Sequence, residues 1–165
     1  MKEIPTSTVY LLKRTELAVR NCAEAAFAEV DLTANQFFIL MLVHFEIATS
    51  AAELSREMGV LPQSMTDLIA PLERSGSIVR EPDPENRRIL RARLTAAGRK
   101  LFERGIEAAT KLEEELVDVF GARELSQFND ALSALKQRAE DHALNPHAQR
   151  RKRRNGTRYA ESIDA

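Results

Sequence analysis

Three short polar side chains and a pair of arginines are the residues of this chain best suited to chemistry. Gln63, Ser64 and Thr66 stand among apolar positions, and Arg87 and Arg88 follow in a stretch rich in proline and charge. A glutamine amide can pair with N6 and N7 of adenine, and hydroxyl groups can contact several bases. Guanidinium groups bind phosphates or enter a narrow minor groove, where the negative potential is strongest. These residue types favour the non-covalent recognition of a nucleic acid.

Two short helical patterns must position the polar side chains. Ser50-Ala-Ala-Glu53 is a capping box that starts a first helix, and Gly59 can adopt the left-handed conformation that ends it. Pro62 suits the first turn of a second helix, where a missing amide is tolerated, and Gly76 closes that helix. The apolar faces of the two helices are formed by Leu54, Met58, Met65, Leu68, Ile69 and Leu72. This order predicts a helix-turn-helix whose second helix presents a polar N-terminal half.

A strand–loop–strand pattern follows the second helix. Residues 78–81 and 89–94 are strand candidates, and the prolines of the segment between them favour a projecting loop. Thr95 then caps a long helix. The predicted fold class is therefore mainly α, a winged helix-turn-helix with a small β-hairpin wing.

The rest of the chain is predicted to be helical. Residues 9–30 form an amphipathic pattern with one buried face, and Thr33-Ala-Asn-Gln36 is a second capping box. The helix that it starts is apolar on most sides, so we expect it to be central and His44 to be a core histidine with a satisfied hydrogen bond. Gly121 separates the last two helices, and the polar segment 145–165 is expected to be disordered.

Charge is distributed unevenly along the chain. The net charge of −1 combines +4 over residues 146–165 with −5 over the first 145 residues. Residues 80–104 hold eight basic and four acidic side chains. Basic charge therefore lies on the predicted wing and on the tail, as expected for a protein with a polyanionic partner.

Several other classes of protein are disfavoured. No Ser/His/Asp order, phosphate-binding glycine loop or metal-spaced cluster is present, so we expect no enzymatic activity, no cofactor and no metal. The longest apolar run is too short to span a membrane. The single cysteine, Cys22, excludes an intramolecular disulfide, so the cytoplasm is the expected location.

The chain resembles the MarR family of bacterial transcription regulators over about residues 8–144. The residues that carry the resemblance are Leu32-Thr33-x-x-Gln36, Ala52-Glu53-Leu54, Met58-Gly59-Val60, Leu72-Glu73-Arg74-x-Gly76, Val79-Arg80, Asp83-Pro84-x-x-Arg87-Arg88 and Leu94-Thr95-x-x-Gly98-Arg99. The resemblance implies a homodimer, formed by the first and last two helices, that binds a pseudo-palindromic operator in double-stranded DNA. It also implies a repressor relieved by a small-molecule effector, bound in a cleft lined by the first, second and fifth helices.

The resemblance divides the chain into four parts. Residues 1–32 are expected to form an N-terminal dimerisation helix, 33–98 the DNA-binding domain, 99–144 the C-terminal dimerisation helices and 145–165 a basic tail. The predicted DNA-binding residues are Ser50, Pro62, Gln63, Ser64, Thr66, Asp67, Arg74, Arg87 and Arg88. Phosphate contacts from the tail are predicted for Arg150, Arg151, Lys152, Arg153 and Arg154.

The chain departs from the family pattern at three positions. Asn86 replaces an aspartate that helps to hold a wing arginine, so Asp83 or Glu85 is expected to supply that charge. Asp67 stands where relatives often carry a basic residue, and Pro71 should bend the second helix after its polar half. Redox-sensing relatives carry a cysteine near the start of the first helix. Cys22 lies beyond that point and is expected to be a structural, partly buried thiol.

Simpler explanations stay open for each feature taken alone. Polar residues at the start of a helix are commonly only solvated. Arg87 and Arg88 can be surface charges or partners of Glu85 and Asp83, and the tail can be a solubilising extension. The competing function is a winged-helix protein-interaction module without sequence-specific DNA binding. Asp67, Pro71 and Asn86 favour that alternative, whereas the wing arginines and the basic tail oppose it.

Overall fold

A computed structural model describes residues 7–144 as six helices and one β-hairpin. The elements are α1 (Thr8–Ala28), α2 (Ala34–His44), α3 (Ala51–Glu57), α4 (Pro62–Arg74), β1 (Ile78–Pro82), β2 (Leu90–Leu94), α5 (Ala96–Val117) and α6 (Ala122–Leu144). This order confirms the predicted mainly α winged helix-turn-helix. None of the described helices is both long and apolar enough to cross a membrane.

The chain divides into two compact units. The first ends at Leu116 and contains α1 to α4, the hairpin and nearly all of α5. The second begins at Val117 and contains α6, and within it the rings of Phe120 and Phe128 stack with centroids 5.1 Å apart. The helix-turn-helix and the hairpin lie in the first unit.

The starts of three helices follow directly from sequence. Thr33 and Ser50 each accept the N–H of the residue three positions later, while Gln36 and Glu53 accept the N–H of the cap residue in return. Both predicted capping boxes are therefore present. The start of α4 has no side-chain cap, and Pro62 occupies its first turn, where its missing amide is harmless.

The core of the first unit is built around α2. Ile39 and Leu40 are fully buried, and Phe37 stacks between Phe27 of α1 and Phe102 of α5, at centroid distances of 4.4 and 5.8 Å. The helix-turn-helix and the wing complete the core with Leu54, Met65, Ile69, Leu72 and Ile78. The predicted central position of α2 is therefore correct.

Two predictions about buried side chains were wrong. His44 is the last residue of α2 and is exposed, with its ring 4.5 Å from that of Phe102. Helix α1 buries only Ala23 and Phe27, so Cys22, about 100° away from Ala23 around the helix, is exposed rather than partly buried.

The β-hairpin is short and antiparallel. Its register runs from Ile78 opposite Leu94 to Pro82 opposite Leu90. Gly76, with a φ of 69°, leads from α4 into β1, and Gly59, with a φ of 64°, makes the turn between α3 and α4. Both glycines adopt the left-handed conformation that their predicted roles required.

Candidate nucleic-acid interface

The N-terminal half of α4 presents the predicted polar face. Gln63, Ser64, Thr66 and Asp67 are all exposed, whereas Met65 between them is buried. Ile69 and Leu72 continue the buried side and anchor the helix to the core. The helix runs without interruption through Pro71 to Arg74. Four short polar side chains are thus held on a rigid, exposed half-helix of the size that a DNA major groove admits.

An apolar residue joins this polar face. Leu61, at the N-cap of α4, is 73% exposed and directly precedes Pro62 and Gln63. Single exposed leucines are common on protein surfaces, so the sequence carried no signal that would have identified Leu61.

The wing loop carries Arg87 and Arg88 on an ordered backbone. Asp83 is buried and its Oδ1 accepts the N–H groups of Glu85 and Asn86, at 2.8 and 2.9 Å. The loop closes through the N–H of Asp83, which donates to the carbonyl of Ile89 at 2.8 Å. Arg87 and Arg88 are exposed, and no described carboxylate forms an ion pair with either. Both guanidinium groups are therefore available to a partner.

The expected partner of a wing arginine needs correction. Asp83 was expected, with Glu85 as the alternative, to hold one of the paired arginines. Its Oδ2 instead accepts a hydrogen bond from Nε of Arg91. The hydrogen bonds from Arg91, Asn86 and Glu85 lower the pKa of Asp83, which therefore stays ionised. Asp83 fixes the loop backbone and leaves the arginine pair exposed.

Arg91 connects the wing to the start of α3. Its Nη1 donates to Oγ1 of Thr49 at 2.9 Å and lies 3.5 Å from Oε1 of Glu53. Glu53 also accepts the N–H groups of Ser50 and Thr49, and these hydrogen bonds lower its pKa to about 2. Sequence reasoning missed Arg91, since its partners Thr49 and Glu53 belong to a distant part of the chain.

A second ion pair holds the other end of α4. Nε and Nη2 of Arg80, in β1, donate to the two carboxylate oxygens of Glu73 at 2.6 and 2.7 Å. Such a paired arrangement fixes direction as well as distance. It joins α4 to the hairpin and so maintains the spacing between the polar half-helix and the wing.

Two predicted DNA-binding residues do not lie with the others. Ser50 is buried and its hydroxyl caps α3, so we correct its role from a DNA contact to the positioning of α3. Arg74 is exposed but lies eleven residues after Gln63. At about 1.5 Å per residue it is about 16 Å further along α4, and it does not join the polar cluster. Arg150, Arg151, Lys152, Arg153 and Arg154 lie outside the described residues.

A separate open groove lies beside the hairpin. It has a volume of about 500 Å³ and is lined by His44 and Glu46, by residues 91–94 of β2 and by Arg99 of α5. A second groove of about 400 Å³ shares His44 and Arg99 and is floored by Phe102. These grooves are lined by residues of α2, β2 and α5, and the effector cleft lined by α1, α2 and α5 stays a prediction. The two grooves combine the guanidinium group of Arg99 and the ring of Phe102 with the carboxylates Glu46, Glu103 and Glu107.

Helix α3, the Gly59 turn, helix α4 and the hairpin define a winged helix-turn-helix protein. The model of the MarR family matches residues 32–90. The HTH-type transcriptional repressor Rv2887 of Mycobacterium tuberculosis is 30% identical over 126 residues, which cover 76% of this chain and 91% of that protein. The crystal structure of Rv2887 in complex with salicylic acid aligns with a TM-score of 0.65. The alignment covers 81% of this chain and 98% of the Rv2887 chain.

A further solved structure has the same fold. Mutant MarR from E. coli in complex with operator DNA is 21% identical, with a TM-score of 0.69 over 76% of this chain and 91% of that chain. The chain therefore belongs to the MarR family of transcriptional regulators, and it is not an enzyme.

Proposed function

We propose that this protein is a cytoplasmic, ligand-responsive repressor that binds a pseudo-palindromic operator as a homodimer. The observation that carries the proposal is the exposure of Gln63, Ser64 and Thr66 on a half-helix anchored by Met65 and Ile69. The proposed DNA-binding domain is 33–98, and the proposed dimerisation segments are 1–32 and 99–144. The complex of E. coli MarR with operator DNA, which shares this fold, supports the proposal.

Base recognition is assigned to α4. Gln63 is suited to adenine, Ser64 and Thr66 to several bases, and Asp67 to the amino group of cytosine. Pro62 and Leu61 would lie at the entrance to the groove, where Leu61 can contact sugar or a thymine methyl group. Asp67 repels phosphate, so it favours sites in which a cytosine offsets that repulsion.

Backbone binding is assigned to the wing. Arg87 and Arg88 project from a loop whose backbone Asp83 holds, and a guanidinium in the minor groove gains from the negative potential there. These contacts position the protein without reading sequence. Phosphate contacts by Arg150, Arg151, Lys152, Arg153 and Arg154 are proposed from their charge alone.

Dimer formation is supported by the apolar side chains that α1 leaves exposed. Val9 is 78% exposed and Leu11 51%, and Leu17 and Val19 are also exposed. Apolar side chains at this density on one helix favour burial against a partner. In a homodimer each winged domain would read one half-site, with half-sites about one helical turn apart.

The effector is proposed to be a small organic anion in the grooves beside His44. Arg99 supplies positive charge, since Arg93 is already paired with Glu81, and Phe102 supplies an aromatic wall. The structure of Rv2887 with salicylic acid, from a relative 30% identical, supports this class of ligand.

The test is the binding of the protein to DNA from upstream of its own gene, compared with random duplex across a range of salt concentrations. The variant is Arg87→Ala/Arg88→Ala. The matched control is Arg87→Lys/Arg88→Lys, which keeps the positive charge at the same two exposed positions. The slope of log affinity against log salt is negative, and we expect it to be shallower in the wing variant. The change should correspond to the loss of about one to two phosphate contacts per protomer. The control should retain the parent slope.

The alternative function makes the opposite prediction. A winged-helix protein-interaction module, which exposed Asp67 favours, would bind operator and random DNA equally weakly. Equal binding of both duplexes by the parent protein would therefore refute the proposal.

A further inference from the structure

The guanidinium of Arg91 joins two segments that belong to different parts of the proposed DNA-binding surface. Its Nε donates to Asp83 in the wing loop, and its Nη1 donates to Thr49, just before α3, at 2.9 Å. The same Nη1 lies 3.5 Å from Oε1 of Glu53, in the first turn of α3. One side chain thus spans from the wing loop to the start of the helix-turn-helix.

In the carboxylates of Asp83 and Glu53, one oxygen accepts backbone N–H groups and the other faces Arg91. Oδ1 of Asp83 accepts the N–H groups of Glu85 and Asn86, while Oδ2 faces Arg91. Oε2 of Glu53 accepts the N–H groups at the α3 cap, while Oε1 faces Arg91. Each carboxylate is therefore fixed by backbone amides before it meets the guanidinium. The link joins two rigid turns rather than two free side chains.

The backbone alone secures only the base of the hairpin. The N–H of Ala92 donates to the carbonyl of Thr49 at 2.8 Å, and Ser50 forms an isolated bridge with Arg91. The loop beyond Pro82, which carries Arg87 and Arg88, reaches α3 through the side chains of Asp83 and Arg91. A planar guanidinium can serve both partners at once, whereas a lysine ammonium is a point charge that cannot span them.

We propose that Arg91 is the positioning residue that sets the wing loop relative to the helix-turn-helix, so that Arg87 and Arg88 reach DNA while α4 lies in the major groove. Arg91 itself is half-buried and binds no DNA. This inference rests on the proposed function. Its consequence is that Arg91 acts only through the wing arginines.

The experiment compares Arg91→Lys with Arg93→Lys. Arg93 lies two residues later on the same face of β2, is more exposed, and is 3.5 Å from Glu81. Both changes preserve charge. We expect Arg91→Lys to weaken binding to an operator duplex selected with the parent protein by about tenfold or more, since misplaced wing arginines lose charge-assisted contacts. Arg93→Lys should bind as the parent does.

Two further readouts separate positioning from general stability. In the background of Arg87→Ala/Arg88→Ala, adding Arg91→Lys should cause no further loss, because its route to DNA is already removed. In the free protein, hydrogen exchange of the Glu85 and Asn86 amides should accelerate in Arg91→Lys, while the dimer and the α2 amides stay unchanged.

Each outcome separates the two claims. Parent-like operator binding by Arg91→Lys, or a full additional loss in the triple variant, would overturn the role of Arg91 while the proposed function stands. Failure of the parent to prefer any duplex would refute the proposed function, and the exchange measurement would still test whether Arg91 holds the loop. Unchanged exchange at Glu85 and Asn86 would count against it.

Discussion

Gly98 is the position where the addition of one methyl group should do most damage to the joint between wing and helix. A Cβ built on Gly98 would lie 1.9 Å from the carbonyl oxygen of Ser77 and 2.8 Å from its carbonyl carbon. That carbonyl cannot move freely, because it accepts the N–H of Thr95 at 3.0 Å. The obstacle is backbone on both sides, so relief requires β1 and α5 to separate.

The size of the effect follows from two opposing contributions. Overpacking typically costs about 1–3 kcal/mol, and the upper end applies because the obstacle is backbone, whereas alanine gains at most about 1 kcal/mol over glycine in the first turn of α5. We therefore expect Gly98→Ala to lower the free energy of unfolding by about 2 kcal/mol. For a chain of this size that corresponds to a fall in Tm of about 4–8 °C.

The assay is thermal and chemical unfolding at one fixed protein concentration, since a dimer's Tm depends on concentration. Ala97→Gly is the matched control, because Ala97 is the exposed neighbour of Gly98 in the first turn of α5 and reports the helix-propensity contribution alone. A Gly98→Ala protein as stable as the parent, or more stable, would refute the reasoning about this joint.

Three other changes test separate parts of the molecule. Gln63→Ala should relax base preference at one position per half-site by about 1–3 kcal/mol in a competition against base-substituted operators. A uniform loss over all duplexes would instead make Gln63 a backbone contact. Truncation after Asn145 should weaken binding to long DNA more than to a minimal operator and flatten the salt dependence, since each phosphate contributes about 0.9 to that slope. Identical salt slopes for the full-length and truncated proteins would show that the tail makes no phosphate contacts. Glu53→Gln should be less stable than the parent above pH 4.5, the ordinary pKa of Glu53, and this deficit should shrink as the pH falls through about 2. A deficit that does not change with pH would contradict the role of the Glu53 charge.

The elements of the fold were predictable because their signals are local. Two helix starts are marked by capping boxes four residues long, formed by Thr33 with Gln36 and by Ser50 with Glu53. Gly59 and Gly76 mark the positions of left-handed backbone. The polar start of α4 could be read in the same way, because residues three or four apart share one face of a helix, which groups Met65, Ile69 and Leu72 on the buried side.

The connections between elements were not predictable in this way. Arg91 and Thr49 are 42 positions apart, and no spacing rule relates a strand residue to a helix cap at that separation. Ser50 shows the same limit, since a serine hydroxyl suits a cap and a base contact equally well until burial distinguishes them. His44 is the last residue of α2 and is exposed, whereas the preceding Val43 is buried. The sequence pattern does not locate the end of the helix to within one residue.

The central claim, recognition of a symmetric DNA site by two copies of α4, is tested most directly by footprinting. Hydroxyl-radical cleavage of an operator selected from random sequence should show two protected half-sites whose centres lie about 10 base pairs, or one helical turn, apart. Arg87→Ala/Arg88→Ala should lose the outer backbone protections and keep the central ones. Protection without two-fold symmetry, or a footprint that spreads evenly over random DNA, would contradict the account.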